Sequence, residues 1–197
     1  MRPLLDNEKG NVTVFFVAIS LGIALTLVLA INIGVALFQK TAQENDLAIA
    51  CDQVESSAFG LVVKNSNTPE LDIAKEIVAT LRENGTQAKA HIYICEANES
   101  EVPFNKRAIA YYVVLEGEYL PIVGGNITGP ITVANASAGY LVPYATDTAW
   151  RPSSTATGEY IAQEGQTGVT RNAIGLTSMP DTLQQTLDKA IEEANDS

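Results

Sequence analysis

The sequence predicts an α+β protein. A long N-terminal transmembrane helix continues into an extracytoplasmic domain with a second helix, an antiparallel sheet and a C-terminal helix. Three observations predict this. No ionisable residue occurs between Asn11 and Phe38, and a helix of that length is roughly 40 Å long, more than the ~30 Å hydrocarbon core of a bilayer requires. Beyond that run, apolar residues recur at three- and four-residue steps in three stretches. Between the later two of these, apolar and polar residues alternate with the period of a half-buried strand.

The organisation that follows is a short cytoplasmic leader over residues 1–10, a transmembrane helix over 11–38 and an extracytoplasmic domain over 39–197. A secretion signal has an apolar core of about 7–15 residues, so this run is too long to be one. "LAIAC" (Leu47–Cys51) faintly resembles a lipoprotein cleavage box, but Gln43, Glu44, Asn45 and Asp46 stand where apolar residues would be required. A retained single-pass anchor in the cell membrane is therefore expected, with lipid as its first partner. Arg2 and Lys9 precede the run and only Lys40 closely follows it, a bias that places the N-terminus in the cytoplasm.

Past the run, Leu47, Ala50, Cys51, Val54, Ala58, Leu61 and Val62 keep helical spacing, so the anchor helix is expected to continue to about Lys64. "NSNTPE" (Asn65–Glu70) reads as a turn, with Thr68 as a cap and Pro69 suited to the first helical position. A helix from Glu70 to about Asn84 follows, striped by Leu71, Ala74, Ile77, Val78 and Leu81, and Gly85 is its stop signal. Ala88–Ala97 alternates as a strand, with Ala90, Ile92 and Ile94 on one side and His91, Tyr93 and Cys95 on the other. Arg107–Gly117 reads as its antiparallel neighbour. "YLPIV" and "ITVANASAGYLVPYA" supply one or two more strands, and Trp150–Val169 reads as loop with room for one short hairpin. Ser178 to Asp181 has capping-box spacing ahead of a last helix striped by Leu183, Leu187, Ala190, Ile191 and Ala194.

Charge and composition exclude several functions. The chain carries 12 Lys and Arg against 23 Asp and Glu, and its largest basic cluster is the pair Lys106-Arg107. That leaves no footprint for a nucleic acid. His91 is the only histidine, too few for the usual metal sets, and it falls in a strand. Glu96, Glu99 and Glu101 read as solvated charge, and "GGNITG" lacks the lysine of a phosphate-binding loop. No cofactor, metal or enzymatic activity is expected. Asn-x-Ser/Thr sequons occur at Asn11, Asn84, Asn98, Asn126 and Asn135; in a eukaryotic source they would suggest a glycoprotein ectodomain, and in a bacterial one they are incidental turn chemistry. The two cysteines, Cys51 and Cys95, would both lie outside the cytoplasm, where an even count invites a disulfide. Two buried free thiols are the alternative.

Within the run, small residues fall at every fourth position: Ala18, Gly22, Thr26, Ala30 and Gly34. Such a row lets helix backbones approach closely in lipid. Asn32 is the one amide inside the run. "EKGNVTVFFVAISLGIALTLVLAINIGVALFQK" followed by "TAQENDLAIACDQVESSA" resembles the TadE/TadG-like proteins of the Flp (Tad, tight adherence) pilus assembly system of prokaryotes, over Glu8 to about Ala58. The resemblance implies a pilin-like domain, a pseudopilin or minor-pilin role in assembly, and pilin-like or pilus-assembly membrane proteins as partners of the N-terminal helix. It also implies cleavage by a prepilin peptidase between Gly10 and Asn11. Prepilin-like members carry a glutamate five residues past that bond, and here Phe15 stands there. A phenylalanine cannot pair with a neighbour's N-terminal amine, so the TadG-like variant is the better match and the uncut chain stays an alternative. A single-pass extracytoplasmic binding or sensor domain unrelated to pili is the rival reading.

Overall fold

No proline occurs between Pro3 and Pro69, and the helix expected across the apolar run forms without a break. A computed structural model of the chain describes residues 4–121, 129–144, 151–172 and 179–196, with side chains from residue 12 onward. Helix α1 (Leu4–Glu55) has 52 residues, about 78 Å at the rise of an α-helix. It begins inside the expected leader. It ends earlier than the apolar spacing suggests, because Ser56 leaves helical geometry (φ −62°, ψ 146°) and its hydroxyl accepts from the Phe59 amide. That cap starts a separate helix, α2 (Ser57–Val63). Helix α3 (Pro69–Glu83) has proline in its first turn as expected, but Thr68 makes no side-chain cap bond. Ser66 takes over: its hydroxyl accepts from the Thr68 amide and donates to Asp72. At the other end Gly85 adopts φ +101°, the left-handed conformation that ends a helix cheaply only as glycine. The Thr86 and Gly85 amides then reach back to the Leu81 and Arg82 carbonyls.

Among the described residues five strands follow: β1 (Lys89–Glu96), β2 (Ile109–Tyr119), β3 (Ile131–Leu141), β4 (Ala156–Ala162) and β5 (Thr170–Arg171), in the sheet order β3-β2-β1-β4-β5. β1 pairs antiparallel with β2, Ile92 facing Val113, and with β4, Ile92 facing Tyr160. The expected β1–β2 pairing is therefore present. The Ser/Thr/Gly-rich stretch holds more than a loop: β4 lies directly against the central strand, and β5 pairs with it as the short return of a hairpin. Helix α4 (Asp181–Asp196) closes the chain. The expected Ser178 cap, the Asn126 sequon and the last two residues of "YLPIV", Ile122 and Val123, lie outside the described residues.

The chain divides into two compact units, Met1–Gln39 with Tyr119–Ile131, and Lys40–Glu118 with Thr132–Ser197. In the first, every side chain from Val12 to Leu27 is exposed. Burial begins at Val28 and recurs at Asn32, Val35, Ala36 and Gln39, one helical face. In the second unit the sheet has a core on each side. Leu47, Ala50 and Val54 of α1 and Ile73, Ile77 and Leu81 of α3 pack on Ile92, Ile94, Tyr111 and Val113. On the opposite face Leu183, Leu187, Ala190 and Ala194 of α4 cover Cys95, Ala108 and Ala110. A leucine or isoleucine fully withdrawn from water in this way contributes about 1.5–3 kcal/mol.

Polar groups tie the layers together. The buried Arg107 grips Glu96 with two bonds (Nε–Oε1 2.6 Å, Nη2–Oε2 2.9 Å). Its remaining nitrogen, Nη1, donates to the carbonyls of Val63 (3.2 Å) and Ser66 (2.8 Å), where α2 ends. Asn135 of β3 donates to Gln43 Oε1 (3.0 Å) and the Lys40 carbonyl (3.2 Å) of α1. Asp46 accepts from Thr86 (2.6 Å), and Arg82 donates to the carbonyls of Thr86, Gln163 and Gln166.

The expected Cys51–Cys95 disulfide is not formed; both cysteines are free and buried. Cys95 points from β1 into the α4 core, whereas Cys51 belongs to the core on the other side of the sheet. The strand alternation already separates them: Cys95 shares the face of Tyr93, opposite Ile94. Dithiothreitol should leave the unfolding midpoint unchanged. Alkylation under denaturing, non-reducing conditions should add two labels by intact mass, and a chain that takes none would refute the separation.

Candidate functional site

Two regions offer chemistry beyond the folded core. The first is the apolar stretch of α1. By length and composition it can cross a membrane: its most apolar window has a mean hydropathy of 2.8 and buries none of its residues. The expected packing row, Ala18, Gly22, Thr26, Ala30 and Gly34, is exposed throughout. A Cβ built on Gly22 or Gly34 would meet nothing within 4 Å, so close packing with described residues of this chain does not explain either glycine. The Thr26 hydroxyl donates back to the Gly22 carbonyl (2.9 Å), which satisfies it without a partner helix. Asn32 is buried and has a polar partner of its own. The Gly10–Asn11 bond lies within the helical run of α1.

The second region is a cavity of about 700 Å³ in the second unit. Its walls come from the end of α1 (Glu55), from α2 (Leu61) and the residue that caps it (Lys64), from Tyr140 and Leu141 at the end of β3 with Val142 to Tyr144 just beyond, and from Glu193 of α4. The Ser56 break shapes it, since α2 would otherwise continue the line of α1. Each carboxylate at its wall accepts from a tyrosine: Glu55 from Tyr111 (2.7 Å) and Glu193 from Tyr140 (2.8 Å). The bond to Glu193 raises the Tyr140 hydroxyl above its ordinary pKa, and the charges of Glu193 and Glu55 add to this. Tyr111 is pushed up far more, first by burial. Gly139 of β3 makes the Glu55–Tyr111 contact possible: a Cβ there would overlap both the Tyr111 hydroxyl and the Glu55 carboxylate.

The remaining candidates are structural. His91 Nδ1 lies 3.3 Å from Glu159 Oε1, and Asn172 Nδ2 donates to Glu159 Oε2 (2.6 Å). Burial would raise the Glu159 carboxyl, but the bonds from Asn172, His91 and Tyr93 outweigh it and hold the group below its usual range. Burial pushes the Cys95 thiol up to about 11, and raises Cys51 too, so neither is a ready nucleophile. Of the sequon residues, Asn84 caps α3 by donating to the Thr80 carbonyl, and Asn98 accepts from the Ser100 amide in a turn. Asn135 is buried in a strand instead. Among the described residues no cluster of three or more His, Cys, Asp or Glu could hold a metal ion. The cavity was not legible in the sequence, because its walls come from three segments far apart in the chain, Glu55–Lys64, Tyr140–Tyr144 and Glu193. The one local signal was the serine pair Ser56-Ser57, a cap and start within continuous apolar spacing. No protein-family model, curated protein or solved structure matches this chain.

Proposed function

We propose that the protein is a membrane-anchored pseudopilin or minor-pilin-like component of a Flp (Tad, tight adherence) pilus assembly apparatus, with a structural and assembly role. The observation that carries this reading is the bare apolar surface from Val12 to Leu27. A continuous exposed apolar patch of this size marks a membrane or a partner, and the glycines and alanines along it suit other helices in lipid. The sequence resemblance over Glu8 to Ala58 gives the apparatus its name. On this reading the chain crosses the cell membrane once, the N-terminus is cytoplasmic, and the acidic domain works outside. The cavity favours the rival, a single-pass extracytoplasmic binding or sensor domain.

The test is isolation of the tagged full chain from its own cells in mild detergent. A Flp pilus ATPase, platform protein or major pilin should co-isolate with it. Gly22→Leu together with Gly34→Leu should lower that recovery at least fivefold while the chain stays in the membrane fraction. Recovery of a soluble ligand with none of those partners would favour the sensor; a chain found free of membrane would end both readings. Intact mass of the same sample reports cleavage between Gly10 and Asn11.

A further inference from the structure

The cavity straddles the edge of the sheet. Among the described residues β3 is an outer strand, and its last two residues, Tyr140 and Leu141, line the space together with Val142, Pro143 and Tyr144 just beyond it. Successive side chains of a strand point to opposite faces, so an opening that touches both Tyr140 and Leu141 lies along the strand's edge, and the bridge at Tyr144 carries that edge past the strand's end. Its two sides agree with this: α2 comes from one face of the sheet, and Glu193 stands on α4, which covers the other.

The backbone there is oriented for pairing. The Pro143 carbonyl accepts from the Arg107 amide, and Lys106 and Tyr144 form an antiparallel bridge. Pro143 thus directs its polar group toward the chain leading into β2. In an extended backbone the neighbouring residues direct theirs the opposite way, so Val142 and Tyr144 present an amide and a carbonyl each to the cavity. The proline that would blunt a strand edge has its missing N–H on the inner side. Leu61 and Tyr144, each 65% exposed, supply apolar walls. The charged groups of the lining are Glu55, Glu193 and a single lysine, Lys64, and both carboxylates are oriented by tyrosine hydroxyls.

We infer that this slot binds an extended, basic peptide segment of a partner protein, which adds to β3 as a further strand and sets a lysine or arginine against Glu55 and Glu193. Main-chain bonds to Val142 and Tyr144 supply affinity, and the carboxylates select charge, the division of labour usual in strand addition. The slot is independent of the anchor role proposed above and would serve either reading of the protein.

The experiment uses the full chain in neutral detergent and fluorescence anisotropy with three blocked, labelled heptapeptides. These are Val-Lys-Val-Thr-Val-Arg-Val, the same peptide with both basic residues replaced by glutamate, and the basic peptide N-methylated at alternate residues. The basic peptide should saturate below 1 mM and protect the Val142 and Tyr144 amides from hydrogen exchange. The acidic and N-methylated peptides should bind at least tenfold more weakly. Glu55→Gln with Glu193→Gln keeps an acceptor for each tyrosine, so the fold survives, and should cost the basic peptide tenfold or more. Equal binding of basic and acidic peptides, indifference to the double substitution, or no saturable binding of the basic peptide would each overturn the inference. Self-association through β3 without peptide binding would overturn it as well.

Discussion

Arg107→Ala is expected to destabilise the domain by about 3–5 kcal/mol, the usual result of removing one partner from a buried ion pair. The guanidinium is fully buried and the Glu96 side chain nearly so. Burial pushes the Glu96 carboxyl up, and Arg107 opposes that rise. Without the arginine, Glu96 must either stay charged in an apolar setting or take up a proton. The Ser66 carbonyl loses its donor at the same time, while the Val63 carbonyl keeps the Ser66 amide, and an orphaned buried acceptor costs about 1–3 kcal/mol. Arg107→Lys should be nearly as harmful, because a single ammonium cannot reproduce a fork with four acceptors. Joint replacement, Glu96→Leu with Arg107→Met, should recover part of the loss by removing the stranded charge; the bare Ser66 carbonyl prevents full recovery. Urea unfolding followed by circular dichroism measures all three. A loss under about 1 kcal/mol for Arg107→Ala would mean that the grip contributes little.

Gly139→Val is expected to cost about 2–3 kcal/mol, the upper part of the range for overpacking. A Cβ at this position would overlap the Glu55 carboxylate and the Tyr111 ring, with the ring Cζ 2.6 Å away. The glutamate can swing aside; the ring, buried and anchored on β2, cannot do so without disturbing Ile92 and Val113 around it. The end of α1 is then pushed away from β3. Gly139→Ala should cost less, and Tyr111→Phe with Glu55→Ala should relieve much of what remains. The discriminating result is non-additivity in this cycle, as expected of groups in contact. Strict additivity would show that Gly139 matters for a reason other than this contact.

Elements with a strong period were legible in the sequence, and those built from small or polar residues were not. α3, β1, β2 and α4 declare themselves because the apolar stripe that defines each is also the face it buries. β4 is hidden because its three core-facing positions are Gly158, Tyr160 and Ala162, opposite Ile94, Ile92 and Ala90 of β1. The glycine and alanine there accept bulk from their neighbours and carry no apolar alternation of their own. The outward face of β4 holds Glu159, whose acid group serves the His91 and Asn172 contacts, so it reads as loop. The break at Ser56 was hidden for the opposite reason: helical spacing continues across it. The apolar run and its exposed row were read directly. The slot beside β3 could not be, since strand edges and tyrosine-held carboxylates arise only once distant segments meet.

The two thiols, sealed on either side of the sheet, carry a consequence for biogenesis. Maturation of this domain calls for no oxidant, no bridge-forming enzyme and no shuffling of wrong pairings. It can therefore reach its native state in a reducing or an oxidising compartment with equal ease.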